Sequence, residues 1–235
     1  FGAQNRVDEL LARRLRREPL AYILGEWEFW SLPFEVTPAV LIPRPETELL
    51  VETALEALKP ASGPLRLLDL GTGSGIIPVV LARELPLASV YSLDCSLAAL
   101  TVAARNAKRN GVGGRVRFVA SDWLAGIRRQ PVFDAVVSNP PYIDCQAVPG
   151  LQPEVRDFEP HLALNGGQGG LEIIARLCGE IAGVLKPGGR LFMEIGFDQG
   201  ETAAALFAAA GEYDDIRVRR DYAGHPRVLE ARRAG

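Results

Sequence analysis

The sequence predicts an α/β fold: a seven-stranded, mostly parallel sheet with helices on both faces. Two features lead there. From Leu65 onward, short apolar runs alternate with helical stretches along nearly all of the remaining chain. Alternation of that extent builds a parallel sheet covered on both sides. The last two apolar runs, near 216–219 and 227–231, are joined by a loop short for a crossover helix, so they should pair antiparallel. With 235 residues, 48% of them apolar, the chain can bury the core of one large domain with a small appendage.

Residues 6–17 carry Val7, Leu10, Leu11 and Leu15 at helical spacing with arginines opposite, and Glu18-Pro19 ends that helix. Tyr22, Ile23, Gly25, Trp27, Phe29 and Trp30 then read as a short strand, with 32–36 as its hairpin partner. Pro45 sets a turn, and from Glu46 a helix can bury Leu49, Leu50, Val51, Leu55 and Leu58. Strands are expected at 65–70, 89–93, 116–120, 133–138 and 190–194. The intervening helices are placed at 75–85, 97–110 and 171–185, the last stopped by Pro187-Gly188-Gly189; an Ala-rich helix follows at 202–210. The domain division that results is 1–20 as the end of a helical segment, 21–45 as a β-hairpin linker and 46–235 as the catalytic domain.

Composition narrows the function classes. A formal charge of −3 shows no global excess of positive charge and argues against broad nucleic-acid binding. Three cysteines (Cys95, Cys145, Cys178) lack CxxC spacing and leave one over, which speaks against a disulfide framework or a zinc site and fits a reducing cytoplasm. The 2 histidines, His161 and His225, lie far apart, so neither a His-based metal site nor a His triad is expected. No apolar run is long enough to span a bilayer.

The chemistry is concentrated at strand ends. Asp69-Leu70-Gly71-Thr72-Gly73-Ser74-Gly75 sits where the first strand of the alternating region turns into a helix, where glycines permit a tight turn and close approach of a ligand. Such a loop alone is weak evidence. Asp94, however, ends the next strand about twenty residues on, the place where an acid receives a ribose diol. The Gly-x-Gly-x-Gly spacing favours S-adenosylmethionine over NAD, because no pyrophosphate need be cradled and Asp69 can hold the methionine ammonium. Asp122 and Trp123, after the third strand, can receive the adenine amino group and cover its ring; a capping Asp and a half-buried Trp are an equal alternative.

Asn139-Pro140-Pro141-Tyr142 follows the fourth strand. Two prolines cannot continue a strand's ladder, so the backbone leaves the sheet there as a stiff loop. On a planar nitrogen, in a carboxamide or an aromatic amine, the Asn139 side-chain oxygen and the Pro140 carbonyl can accept its N–H groups. That would draw electron density toward nitrogen and turn its lone pair toward a methyl donor. Tyr142 can stack on the planar group and tolerate its growing positive charge. No strong general base is needed, because the nitrogen becomes acidic only as the methyl transfers.

Together the glycine loop, Asp94 and Asn139-Pro140-Pro141-Tyr142 resemble class I S-adenosylmethionine methyltransferases acting on planar amino groups or amides. Three further stretches resemble the release factor glutamine N5-methyltransferase (HemK or PrmC) family. They are Glu18-Pro19 through Phe29-Trp30; Leu41-Ile42-Pro43-Arg44-Pro45-Glu46-Thr47-Glu48; and Glu159-Pro160 with Ala163-Leu164 and Gly166-Gly167. The resemblance implies a Rossmann-like methyltransferase sheet and methyl transfer to the glutamine of the Gly-Gly-Gln motif of peptide chain release factors. It implies Gly71, Thr72, Gly73, Ser74 and Gly75 as cofactor loop, Asp94 as ribose acid and Trp123 as adenine-side aromatic. Asn139, Pro140, Pro141 and Tyr142 would hold the substrate glutamine, Asn139 also lying near the cofactor. Thr47 and Glu48 would help close the cofactor site, with a helix cap as the alternative. The catalytic set is then Asn139, Pro140 and Tyr142, with no metal. The expected partner is a release factor, without nucleic acid or membrane, and the protein is expected to act as a monomer. The family's helical N-terminal domain would be represented only by its end.

Two rivals share the chemistry: a ribosomal-protein glutamine methyltransferase and a DNA adenine-N6 methyltransferase. The second would need a basic groove. A further rival, a non-catalytic adenosine-binding domain, leaves Asn139 and Tyr142 without a purpose. One stretch departs from the family: Gly166-Gly167-Gln168-Gly169-Gly170-Leu171 lacks the usual Asp and contains a Gly-Gly-Gln of its own. A glycine-rich loop before a helix is the expected reading.

Overall fold

The computed structural model describes residues 2–235, with side chains from residue 5 onward; Phe1, where the expected helical segment begins, lies outside them. Helix α1 (Gly2–Leu15) and the short α2 (Leu20–Leu24) lead into the hairpin β1 (Glu26–Phe29) and β2 (Leu32–Glu35), then α3 (Thr47–Leu58). The alternating region follows as β3 (Arg66–Leu70), α4 (Ile76–Glu84), β4 (Ser89–Asp94), α5 (Leu97–Arg109), β5 (Val116–Ala120) and β6 (Phe133–Ser138). After a connection containing α6 (Pro153–Arg156) come α7 (Glu172–Ile181), β7 (Leu185–Glu194), α8 (Gly200–Ala210), β8 (Tyr213–Arg220) and β9 (Pro226–Arg233).

The seven-stranded sheet has the order β5-β4-β3-β6-β7-β9-β8. Strands β3 to β7 run parallel, and β9 is antiparallel to both β7 and β8, as the short final connection predicts. Strand alternation divides the core. Leu67, Ala135, Val137, Phe192 and Val228 join the cluster under α3 and α4, whereas Leu68, Leu70, Val136, Leu191, Met193 and Leu229 join the cluster under α7 and α8. This is the two-faced α/β architecture expected.

Two expectations are corrected. Tyr22 and Ile23 lie in α2 rather than in a strand, with Pro19 before it and Gly25 closing it in a left-handed conformation. The reason is tertiary: Ala21 and Tyr22 pack against Val36, Val40 and Ile42, and the Tyr22 hydroxyl donates to the Val40 carbonyl at 2.6 Å. The helix expected to run to residue 185 ends at Ile181, and β7 begins at Leu185, before Pro187. Here Val132 and Phe133 N–H groups both donate to the Val184 carbonyl, and the β6–β7 register shifts between Phe133 and Ala135. The intervening Lys186-Pro187-Gly188-Gly189 is taken up as an irregularity of the strand, where proline and glycine are tolerated.

The hairpin is held against α5. Arg105 pairs with Glu35 through two bonds of 2.8 and 2.7 Å, and Arg109 pairs with Glu26. Asn106, fully buried, accepts from the Glu35 N–H and donates to the carbonyls of Glu35 and Ser74. That one amide joins the hairpin to the glycine loop.

Candidate active site

Strand order reverses between β3 and β6: β4 and β5 extend to one side of β3, and β6 opens the other. In parallel sheets such a switch point leaves a crevice at the carboxyl ends of the strands. The loop after β3 is the glycine loop and the loop after β6 is Asn139-Pro140-Pro141-Tyr142. The Ser138 hydroxyl donates to the Leu70 carbonyl at 2.9 Å and fastens one strand end to the other.

A cavity opens at this edge, lined by Gly71, Thr72, Gly73, Ser74, Asp94, Asp122, Trp123, Asn139 and Pro141, with Thr47 and the 39–44 segment as its other wall. Asp94 carries both carboxylate oxygens at the rim. One accepts from the Gly73 N–H and the other from the Ser96 N–H, each at 2.9 Å, so the acid shapes the loop and retains free lone pairs. The Trp123 ring lies over Gly71, where a Cβ would stand 3.4 Å from it. These features suit an adenosine: a carboxylate for a diol, an aromatic face and exposed loop backbone.

Three expected cofactor residues sit differently. Gly75 does not line the cavity. Its φ is +83°, and a Cβ there would lie 3.0 Å from the Ala103 Cβ, so this glycine lets α5 approach the loop. Gly75→Ala is expected to lower stability by about 1–3 kcal/mol, read from chemical denaturation. Asp122 reaches the cavity rim, but its carboxylate is held by Arg176 at 3.1 and 3.0 Å. Asp69 is fully buried behind the loop; its Oδ2 accepts from the Thr72 hydroxyl at 2.5 Å and its Oδ1 has no hydrogen-bond partner among the described residues.

A second cavity adjoins the first and is lined by Asn139, Pro140, Tyr142, Ile143, Gln152 and Leu164 among others. Asn139 and Arg44 line both. The Asn139 Nδ2 donates to the Thr47 hydroxyl oxygen at 3.1 Å, which leaves its Oδ1 free. Thr47 thus both lines the first cavity and holds the Asn139 amide. Glu48 does not line either cavity; its Oε1 accepts from the Trp30 N–H at 2.9 Å and ties α3 to the hairpin.

The known proteins that this chain resembles include methyltransferases. The methyltransferase small domain family matches residues 45–151. Release factor glutamine methyltransferase from Nitratidesulfovibrio vulgaris is 49% identical over 226 residues, 96% of this chain and 76% of that protein. The protein of the same name from Moorella thermoacetica is 48% identical over 232 residues, 99% of this chain and 81% of that one. The crystal structure of a release factor-specific protein-(glutamine-N5) methyltransferase from Alicyclobacillus acidocaldarius is 32% identical, with a TM-score of 0.51 over 86% of this chain and 100% of that one. The chain belongs to the release factor glutamine methyltransferase family.

Several features of this methyltransferase lay outside the sequence-based site. Glu159, 4% exposed, accepts from the Ile42 N–H at 3.1 Å and pairs with Arg44 at 2.5 Å, so it pins the segment between the two cavities. The Gly-Gly-Gln stretch is a support for the Asn-Pro-Pro-Tyr loop. A Cβ on Gly166 would lie 2.7 Å from the Pro141 carbonyl, and one on Gly170 only 2.1 Å from the Tyr142 carbonyl. Gln199 completes that support, donating to the Tyr142 carbonyl at 2.9 Å and the Gly170 carbonyl at 3.2 Å. Glu194, at the end of β7, is fully buried and accepts from the Tyr142 hydroxyl at 3.1 Å. Its only sequence signal was an acid closing an apolar strand, as Asp94 closes β4.

Burial pushes the Asp69 carboxyl from its ordinary 3.8 up to about 7, with the Thr72 hydrogen bond opposing and the Asp94 charge reinforcing. The folded protein thus holds this proton more tightly than the unfolded chain. Its stabilising contribution is complete below the unfolded value and is lost as pH rises to about 7. Asp69→Asn should therefore raise the melting temperature relative to wild type more at about pH 8 than at about pH 5, which thermal unfolding at both values checks.

Proposed function

We propose that this protein transfers a methyl group from S-adenosylmethionine to the side-chain amide nitrogen of the glutamine in the Gly-Gly-Gln motif of peptide chain release factors, modulating translation termination. The observation that carries the reading is that two cavities meet at Asn139. One has the features of an adenosine site and the other adjoins Pro140 and Tyr142.

When bound, S-adenosylmethionine would supply an electrophilic methyl group on its sulfonium: the S–C bond breaks as the N–C bond forms, S-adenosylhomocysteine leaves with the electron pair, and the amide nitrogen gives up one proton to solvent. Gly71, Thr72, Gly73 and Ser74 would lie along it, Asp94 would accept the ribose hydroxyls, and Trp123 would cover the adenine. Asp122 would stand at the rim. Asp69 would act from behind the loop, through Thr72. The free Oδ1 of Asn139 and the Pro140 carbonyl accept the two N–H bonds of the substrate amide, and Pro141 stiffens their spacing. Those acceptors hold the amide plane and place the nitrogen lone pair toward the first cavity. Tyr142 packs against the amide and excludes water from it. Positioning of this kind supplies much of the rate, because the two reactants no longer have to find each other in the right orientation.

The test incubates the protein with methyl-labelled S-adenosylmethionine and a purified release factor, beside the same factor with Gly-Gly-Ala and beside duplex DNA. Label on the unaltered factor alone is the expected result. Label on DNA, or equal label on the Gly-Gly-Ala factor, would overturn the reading.

A further inference from the structure

The Asn-Pro-Pro-Tyr loop leaves the sheet with few backbone bonds of its own. Pro140 and Pro141 have no N–H and a fixed φ, so neither can be tied down by donating. The near end of the loop is pinned where the Ser138 hydroxyl donates to the Leu70 carbonyl at 2.9 Å. The far end is pinned by residues Glu194 to Gln199, which join β7 to α8. The Gln199 Nε2 donates to the Tyr142 carbonyl at 2.9 Å, and the Glu194 Oε1 accepts from the Tyr142 hydroxyl at 3.1 Å. One turn thus grips Tyr142 at both ends, at its backbone and at the tip of its ring.

The Gln199 side chain, 6% exposed, uses both ends of its amide. Its Oε1 accepts from the Gly196 N–H at 2.8 Å, which settles which end faces the loop. The Nε2 hydrogens are then left for carbonyls, that of Tyr142 and that of Gly170 at 3.2 Å. The glycine-rich turn makes room for this reach: a Cβ on Gly170 would stand 2.7 Å from the Gln199 Nε2. Among the described residues the Tyr142 carbonyl has no other hydrogen-bond partner, and the Pro140 carbonyl has none.

With φ fixed at two successive residues, few torsions remain between the two pinned ends. Holding Tyr142 therefore also sets the direction of the Pro140 carbonyl. We propose that Gln199 and Glu194 are positioning residues for methyl transfer, holding Tyr142 between them so that its ring and the Pro140 carbonyl meet the substrate amide at fixed angles. This rests on the reading of that loop as the holder of the amide. Neither residue lines either cavity, so both act through Tyr142 alone. With either grip released, the amide can still enter the second cavity. Its lone pair is then aimed at the methyl donor for a smaller share of the time, and kcat carries the loss.

The experiment compares wild type with Gln199→Glu, Glu194→Leu, Glu194→Gln, Tyr142→Phe and the double variant Tyr142→Phe with Glu194→Leu. Gln199→Glu keeps an oxygen for the Gly196 N–H and removes only the donor, so that an acceptor faces two carbonyls. Glu194→Gln keeps an oxygen for the Tyr142 hydroxyl, whereas Glu194→Leu does not. Single-turnover kcat and KM for a release factor are measured well below each variant's melting temperature, and cofactor affinity by calorimetry. The Tyr142 signal of protein carrying 3-fluorotyrosine is followed by fluorine NMR, assigned with Tyr142→Phe.

Gln199→Glu should lower kcat about ten- to a hundredfold and Glu194→Leu about tenfold, while Glu194→Gln recovers most of the rate. KM should stay within about threefold of wild type and cofactor affinity should hold, a split that a merely stabilising role would not produce. The double variant should be no worse than Glu194→Leu, because both changes remove the same bond. The Tyr142 signal should shift or broaden in Gln199→Glu and Glu194→Leu and stay near its wild-type place in Glu194→Gln. Wild-type kcat in Gln199→Glu, equal losses in Glu194→Gln and Glu194→Leu, additive losses in the double variant, or an unmoved Tyr142 signal would each overturn the proposal. Should Gln199→Glu fail to fold, Gln199→Leu takes its place with the same expectations. If wild type labels no release factor, the substrate reading fails by itself, and the fluorine signal still decides whether Gln199 and Glu194 hold the ring.

Discussion

Asn139→Ala is expected to lower kcat by about a hundred- to a thousandfold, while the dissociation constant for S-adenosylmethionine changes little. The amide contributes to the cofactor cavity only as part of its wall, so its loss removes few cofactor contacts. What disappears is the free Oδ1, the side-chain acceptor at the junction of the two cavities. An acceptor aimed at a nitrogen that becomes more acidic during reaction acts more strongly in the transition state than in the ground state, so kcat rather than KM should carry the loss. Thr47 would be left with an unsatisfied hydroxyl, but it can turn to water in the enlarged site. Single-turnover labelling separates the chemical step from binding, and near-normal turnover in this variant would remove Asn139 from the acceptor role. Asn139→Asp is an informative companion. It keeps an oxygen but forfeits the NH₂ that Thr47 receives, so it should recover only part of the rate.

Asp94→Ala should act on the other half of the reaction. Hydrogen bonds to a charged acceptor contribute about 1.5–3 kcal/mol, so cofactor affinity is expected to fall about ten- to a hundredfold. Part of that loss is indirect. The same carboxylate accepts from Gly73 and Ser96 at 2.9 Å, and without it the glycine loop loses the contact that holds Gly73 at the rim. Asp94→Asn separates the two effects, because its carbonyl oxygen can still take the Gly73 N–H while the charge is gone. Calorimetry with S-adenosylhomocysteine should then place Asp94→Asn between wild type and Asp94→Ala. Affinities indistinguishable from wild type in both variants would take Asp94 out of the site. At saturating cofactor, kcat should be far less affected than in Asn139→Ala, since Asp94 lies away from the junction with the second cavity.

Much of this architecture is legible in local pattern. Apolar runs of strand length between helical stretches announce the parallel sheet, and each motif with chemistry lies at a strand's carboxyl end. Asp69 to Gly75, Asp94, Trp123 and Asn139 to Tyr142 are all found at one edge of the sheet, as the order of elements implies. Where the local pattern misleads, a distant partner is the cause. Tyr22 and Ile23 run toward Trp27 and Phe29, which alternate with acids as a strand would, but Val40 accepts from the Tyr22 hydroxyl and α2 forms. Pro187-Gly188-Gly189 looks like a helix stop between two elements, but the start of β6 pairs with residues on both sides of it and draws it into β7. Gly75 belongs to the glycine loop by spacing, and a distant neighbour adds a second demand on it: a Cβ there would stand 3.0 Å from the Ala103 Cβ.

What the sequence by itself determined is the fold class, the strand ends at which its motifs lie and the chemistry those motifs can support. These depend on periodicity, on turn-forming residues and on side-chain types at strand ends, all local properties of the chain. Tertiary structure alone decided how the groups are oriented. It sets Thr47 against Asn139, Glu194 against Tyr142, Glu159 against Arg44 and Arg176 against Asp122. Each of these pairs joins residues far apart in the chain. Hydrogen-bond direction and burial arise only when the sheet brings such residues within a few ångströms of one another, and no spacing rule along a single chain encodes that meeting.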